Sequence, residues 1–347
     1  MSNRLNKYGK HLTYAKICFM NKRLLVGFVG VLGLSLLLAP IGGVVAASAQ
    51  PSGQGLEISP PVIELSANPG QTITATIRVR NVASSELIAK GRADDFGAGT
   101  AEDGQPKLLI DEQGETRYSL KYWVTNVPDL RLAPQELKTA VVNIKVPANA
   151  EPGGHFGVIR FTAVPPNLEG TGVSLSASIG TLVLLRVNGV IKDDVQLAGF
   201  TTGKVNKDGG IGEKSNFFET GPVGLLVRLH NGGSVHEKAQ GTIVVTDTLG
   251  KKVATIAVNE KGGNVLPDSI RRFEQTLAKK SLFGHYTAKL NLSYLGGQKK
   301  ISGSTSFWVI PWKLILIVIL ALVILFFTLK FSLNKYNDHI IKQARRR

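Results

Sequence analysis

The sequence predicts an all-β fold: two tandem immunoglobulin-like β-sandwiches followed by a single transmembrane α-helix. Three observations predict it. From Leu56 to Ser306, short stretches of alternating apolar and polar residues recur between turns rich in Gly, Pro and Asn, and none of this region carries a long helical period. The order of these strands repeats once along the chain. Near the C-terminus, Leu314 to Leu329 is uncharged and almost wholly apolar, long enough to cross a bilayer.

Residues 1–49 read as a signal peptide region. Lys22-Arg23 precede the apolar run Leu24 to Leu38, which is followed by Pro40, Gly42 and Gly43 and then by Ala47-Ser48-Ala49 before Gln50. Positive flank, apolar core and small-residue site make the order of an export signal cleaved between Ala49 and Gln50, with Ala47 and Ala49 as the small residues. An uncleaved N-terminal anchor is the other reading of the same segment. Either Met1 or Met20 can serve as the start, Met20 giving the shorter positive region. The single cysteine, Cys18, precedes the apolar core, so the exported part holds no thiol and no disulfide. This fits a bacterial surface better than a disulfide-stapled secreted sandwich.

Residues 55–192 are assigned to the first sandwich. In TITATIRVRN (72–81), Ile73, Ala75, Ile77 and Val79 point one way, whereas Thr74, Thr76, Arg78 and Arg80 point the other, as in a half-buried strand. TAVVNIKVP, GHFGVIRFTAV and GTLVLLRVNGVI continue the series, broken by Asn68-Pro69-Gly70 and by the run from Ala148 to Gly154. Residues 193–307 form the second, membrane-proximal sandwich, with GLLVRLHN, GTIVVTD, KVATIAV and YTAKLNLSYL as strands. Both units present a strand ending in Asn (Asn81, Asn231), then a Leu-Ala-Pro or Leu-Pro element opening a strand, then Gly-His-aromatic opening another. The simplest cause of this repetition is a shared fold.

Residues 308–329 read as the membrane span, about 33 Å of helix at ~1.5 Å per residue against a hydrocarbon core of ~30 Å. Trp308 and Trp312 are expected at the interface, with Lys313 and Lys330 reaching the headgroups from the two ends. Residues 330–347 form a basic tail whose Lys and Arg place it in the cytoplasm and everything from Gln50 to about Ser306 outside. The protein is thus expected at the cell membrane as a single-pass chain.

The formal charge of +16 reads differently once mapped. The N-terminal 49 residues hold six bases and no acid, and residues 313–347 hold seven bases and one acid, so most of the excess serves targeting and orientation. Residues 55–165 hold 11 bases and 13 acids, whereas residues 195–306 hold 15 bases and 8 acids. Nucleic acid is excluded as a partner by this topology.

The segments ISPPVIELSANPGQTITATIRVRN, YWVTNVPDLRLAPQELKTAVVNIKVPANAEPGGHFGVIRF and GTLVLLRVNG resemble the WxL-interacting protein family of bacterial surfaces, over nearly the whole exported chain. The resemblance implies a peptidoglycan-binding sandwich, a second sandwich described as host-binding, and a membrane helix with a basic tail.

No hydrolase elbow, phosphate loop, HExxH motif or CxxC pair is present, so no catalytic, cofactor-binding or metal residue is assigned and the chain is read as a non-enzyme. His155 and His285 occupy matching places, as expected of a structural position at a strand start. The acidic group Asp94, Asp95, Glu102, Asp103, Asp111 and Glu112 is expected on solvated loops, with calcium as the sharper alternative. Tyr118 and Tyr122 are the candidate sugar-stacking residues, Trp123 being assigned to the core and Tyr122 to the opposite face of the same strand. Lys251, Lys252, Arg271 and Arg272 are candidates for attraction to anionic lipid or acidic wall polymer, with Lys279-Lys280 and Lys299-Lys300 as similar pairs. The expected function is a noncatalytic surface protein that binds cell-wall glycan, peptidoglycan above all, or a surface protein partner. An assembly chaperone acting through a sandwich edge is the alternative, and a membrane sensor is a third.

Overall fold

Alternating sequences become strands because each strand can turn one side chain row into a core and the other into water. In the computed structural model, which describes residues 55–110, 112, 114–165 and 177–345, nineteen strands and one long helix account for most of the chain. The expectations on Ala47, Ala49, Gln50 and Asp111 fall outside the described residues.

The first sandwich runs β1 (Leu56–Ser59), β2 (Val62–Ala67), β3 (Thr72–Asn81), β4 (Leu87–Ala98), β5 (Pro106–Leu109), β6 (Val124–Thr125), β7 (Leu130–Leu132), β8 (Leu137–Lys145), β9 (Gly153–Val164) and β10 (Ser178–Val187). One sheet has the order β1-β3-β8-β6, and the other β2-β10-β9-β4-β5 with β7 also on β4. The second runs β11 (Val195–Val205), β12 (Ile211–Lys214), β13 (Phe217–Phe218), β14 (Val223–Asn231), β15 (Gln240–Asp247), β16 (Lys252–Val258), β17 (Ser269–Leu277), β18 (Gly284–Tyr294) and β19 (Lys299–Val309). Its sheets have the orders β12-β11-β14-β17 and β13-β19-β18-β15-β16. The repeat is visible in the pairing. β1 and β11 lie antiparallel to β3 and β14, and the next crossing segment, β2 or β13, joins the opposite sheet in parallel to the last strand, β10 or β19.

Each sandwich has its own core. On β3 the buried residues are Ala75, Ile77, Val79 and Asn81, alternating with exposed Thr and Arg. Beside them in the same sheet lie Ala140, Val142 and Ile144 of β8, and the facing sheet contributes Ile159, Phe161, Val183 and Leu185 of β9 and β10. Burying such side chains contributes about 1.5–3 kcal/mol each.

The repeated Asn explains itself here. Asn81 and Asn231 are fully buried. Asn81 Nδ2 donates to Ser85 O (2.7 Å) and Ala133 O (3.1 Å), and its Oδ1 accepts from Ala83 N (2.9 Å). Asn231 Nδ2 donates to Val235 O and Val265 O (both 2.8 Å), and its Oδ1 accepts from Gly233 N (2.9 Å). In both units one amide ties the loop after its strand to the turn before the next, and that turn carries Pro followed by a residue with positive φ, Gln135 (61°) or Asp268 (52°).

Two expectations on the first sandwich are corrected. Trp123 is in the core, but Lys121–Trp123 is a turn of 3₁₀ helix, with only Val124 and Thr125 extended beyond it. The turn is held by Asp95, whose Oδ1 accepts from Leu120 N and Lys121 N (2.8 Å each). Asp94 and Asp95 are therefore not solvated loop residues: both are buried on β4, and Asp94 pairs with Arg160 at 2.9 Å. Among the described residues, no group of three His, Cys, Asp or Glu side chains suited to a metal ion occurs.

The apolar helix α1 (Trp312–Ala344) starts four residues later than expected and continues through the basic segment. It is long and apolar enough to cross a membrane between Trp312 and Asp338. Trp308 instead belongs to β19, half-exposed and packed on His285 with ring centroids 4.9 Å apart. Lys313 Nζ pairs with Glu219 Oε2 of the second sandwich at 2.8 Å, at the surface, whereas Lys330 lies within the helix.

Candidate functional site

Strand β9 breaks the alternation: every residue from Gly153 to Ile159 is buried. One row of its side chains meets the core of the first sandwich, and the other row, Phe156 and Val158, meets the second sandwich. Phe96 of β4 and Leu184 of β10 extend this outward apolar patch, which Leu266 of the second unit and Tyr118 partly cover. The ring of His236 lies against Phe156 edge-on, 5.7 Å between centroids.

Polar contacts from both sides close the seam. Gly154 N donates to Ser234 O at 2.8 Å, and Tyr118 Oη donates to Asp268 Oδ2 at 2.6 Å. Burial, reinforced by the bond to Asp268, pushes the Tyr118 phenol up to about 12. Glu64 of β2 accepts from Lys238 Nζ (2.6 Å) and Asn264 Nδ2 (2.9 Å). Glu102, at the loop after β4, takes both arms of Arg228, one at 2.7 Å, while its carbonyl accepts from Arg272 N at 2.6 Å. The Arg228 guanidinium holds the Glu102 carboxyl below its ordinary value.

Between these contacts remains a cavity of about 420 Å³. Val62 and Glu64 of β2, Phe96, Leu182 and Leu184 line it from the first sandwich. Lys238, Leu266, Arg271 and the 261–264 turn line it from the second.

The seam gathers three of the candidate residues: Tyr118, Arg271 and Arg272. Arg271 and Arg272 lie on strand β17 rather than on an exposed turn, and Arg272 pairs with Glu274 at 3.0 Å. Tyr122 is exposed beneath the Lys121 ammonium, 5.0 Å from its ring centre, away from the cavity lining. Lys251 and Lys252 are exposed at the β15–β16 turn, where Asp247 Oδ1 accepts from Lys251 N at 2.9 Å. Glu64, Arg228 and Leu266 were not legible as site residues, and Glu102 was read only as one of the acidic loop group. The available signals were apolar runs such as HFGVI and Leu182–Leu185, since a strand buried on both faces needs a second layer over it.

A second pocket, of about 400 Å³, opens on the first sandwich beside Trp123 and His155, lined also by Glu115, Arg117, Asn149 and Glu151. The two rings lie against each other, 4.1 Å between centroids and tilted by 44°. His155 faces two carbonyls, Ser119 O (3.3 Å) from Nδ1 and Glu151 O (3.1 Å) from Nε2. Burial holds its imidazole below the ordinary histidine value against the pull of both carbonyls.

No family model matches the chain, and no curated protein does. Among solved structures, the chain is similar to the class 5 fimbriae chaperone CfaA (12% identity, 72% of this chain and 99% of that one, TM-score 0.37). It is similar to the E. coli chaperone DraB (15%, 72% and 96%, 0.33). The Pseudomonas aeruginosa CupB2 chaperone gives 11%, 73% and 100%, with a TM-score of 0.34.

Proposed function

We propose that this chain is a noncatalytic, membrane-tethered binding protein that holds an extended segment of a surface protein partner along the edge strand β2. The observation that carries this is the open side of β2. It pairs with β10 alone among the described residues. Pro61 O and Ala67 O accept from Leu182 N and Asn188 N, so the odd-numbered residues face β10 and the N–H and C=O groups of Val62, Glu64 and Ser66 point outward. Such a row of backbone groups accepts an added strand. The edge strand β17 is heavily charged, by Arg271, Arg272 and Glu274, whereas β2 carries Glu64 alone and β16 Lys252 alone.

A photo-crosslinker at Val62 in the native cell should give one discrete protein adduct. Ser66→Pro, which removes an outward N–H and leaves the β10 ladder intact, should abolish it. A crosslinker at Lys251 should give none. Equal labelling from Val62 and Lys251, or an adduct indifferent to Ser66→Pro, would overturn the reading.

A second reading, that the first sandwich binds peptidoglycan, is favoured by the polar pocket beside Trp123. Its Glu, Arg and Asn side chains suit a hydroxyl- and amide-rich polymer. Co-sedimentation with insoluble cell wall tests it. No pelleting above a control protein, or pelleting unchanged by Asn149→Ala with Glu115→Ala, rules out that pocket.

A further inference from the structure

The seam cavity has a charge that its own walls do not answer. Lys238 is matched by Glu64, but Arg271 forms no ion pair among the described residues. It donates from Nη1 to the carbonyl of Asn264 (2.6 Å), lies over the Phe273 ring with Cζ 5.3 Å from its centre, and leaves Nε without a partner. Asp103 acts on it only from beyond ion-pair range, its Oδ1 accepting from Gln105 N at 2.9 Å. Lys261 adds a second positive charge to the lining.

The guanidinium is held in place. Gly104 of the first sandwich and Gly263 of the second press their backbones against it, and a Cβ at either glycine would collide with its atoms. Gly104 also has φ +80°, a conformation that favours glycine. A fixed, partly desolvated guanidinium with one neutral acceptor is short of an anion, and its planar fork matches a carboxylate. Phe96, Leu182, Leu184 and Leu266 supply an apolar floor beside it. The volume of about 420 Å³ lies within the range of small-ligand sites, roughly 300–1,000 Å³.

We propose that this cavity binds a carboxylate attached to a compact apolar body, with Arg271 as its counter-ion and the Phe96–Leu182–Leu184–Leu266 surface as its seat. This does not depend on strand addition at β2. Two sources share the chemistry, a free small acid and an acidic side chain flanked by apolar residues on a polypeptide.

The test uses the full chain in nanodiscs and saturation-transfer NMR, with empty nanodiscs as control. The probes are 3-phenylpropionate, its neutral amide, and N-acetylated, C-amidated Val-Glu-Val beside its Gln counterpart. At least one acid should bind at least tenfold more tightly than its amide partner. That preference should vanish in Arg271→Met, while Lys251→Met keeps it. Leu184→Phe, which fills the floor and leaves the charge, should weaken binding without removing the acid preference. Binding of the free acid alone assigns the site to a small molecule, and binding of the peptide alone assigns it to a polypeptide. Should Arg271→Met fail to fold, Leu184→Phe and the acid–amide comparison decide the matter by themselves. Neither acid binding, acid and amide binding equally, or an acid preference that survives in folded Arg271→Met would overturn the proposal.

Discussion

Replacing Asn231 by alanine should destabilise the second sandwich by about 3–5 kcal/mol, because three buried hydrogen bonds go with one side chain. Val235 O and Val265 O lose the Nδ2 donor at 2.8 Å, and Gly233 N loses its acceptor at 2.9 Å. The site has no exposure through which water could replace them. Each bond contributes about 1 kcal/mol net, and stranding a buried donor or acceptor adds to that. Asn81→Ala should do the same to the first sandwich, whereas Asn149→Ala, on an exposed turn, should stay within about 0.5 kcal/mol. Hydrogen exchange of the full chain in nanodiscs reads each unit separately through its slowest amides, β14 and β17 for one and β3 and β8 for the other. A loss of about 3 kcal/mol corresponds to roughly a hundredfold faster exchange at those amides. Acceleration under tenfold for Asn231→Ala, or equal acceleration for Asn149→Ala, would refute the idea that the repeated Asn fastens each sandwich.

Three further outcomes are expected. Burial, with the Asp193 carboxyl close by, raises the Glu237 carboxyl to about 7 from its ordinary 4.5, so its contribution to stability falls as pH rises through that window. Burial lowers His236 to about 4 from 6.5, so its contribution is lost as pH falls from 6.5 toward 4; the two slopes oppose each other between 4.5 and 6.5. Glu237→Gln should therefore unmask a stability that climbs with pH over that interval by up to about 1.4 kcal/mol per pH unit, and a denaturation series with wild-type slope would contradict this. Glu102→Ala removes the acceptor of both Arg228 arms, so amides 99–105 should exchange faster with little change in global stability, as befits a half-exposed pair. A cysteine placed at Lys342 should resist a membrane-impermeant maleimide in intact cells while one at Lys251 reacts; the reverse pattern would invert the orientation.

Much of this protein was legible in its sequence because the relevant forces are local or periodic. A period of two decides that Ile77 and Val79 turn inward while Arg78 turns out, and the Asn81/Asn231 repeat marks equivalent turns. An apolar run from Leu314 to Leu329 can satisfy its backbone only as a helix in lipid, whatever precedes it. What the sequence leaves open depends on partners far along the chain. Asp94 looks like a loop acid until Arg160 meets it from the neighbouring strand β9. Lys121–Trp123 looks extended until Asp95 takes the amides of Leu120 and Lys121 at the start of the turn. The seam was least visible of all, since Tyr118 bonds Asp268, 150 residues away, and Glu64 bonds Asn264, 200 residues away. Strand periodicity states that β9 has two faces, but only the docking of a second sandwich decides that both are buried. That docking turns Arg271 from a surface charge into the wall of a cavity.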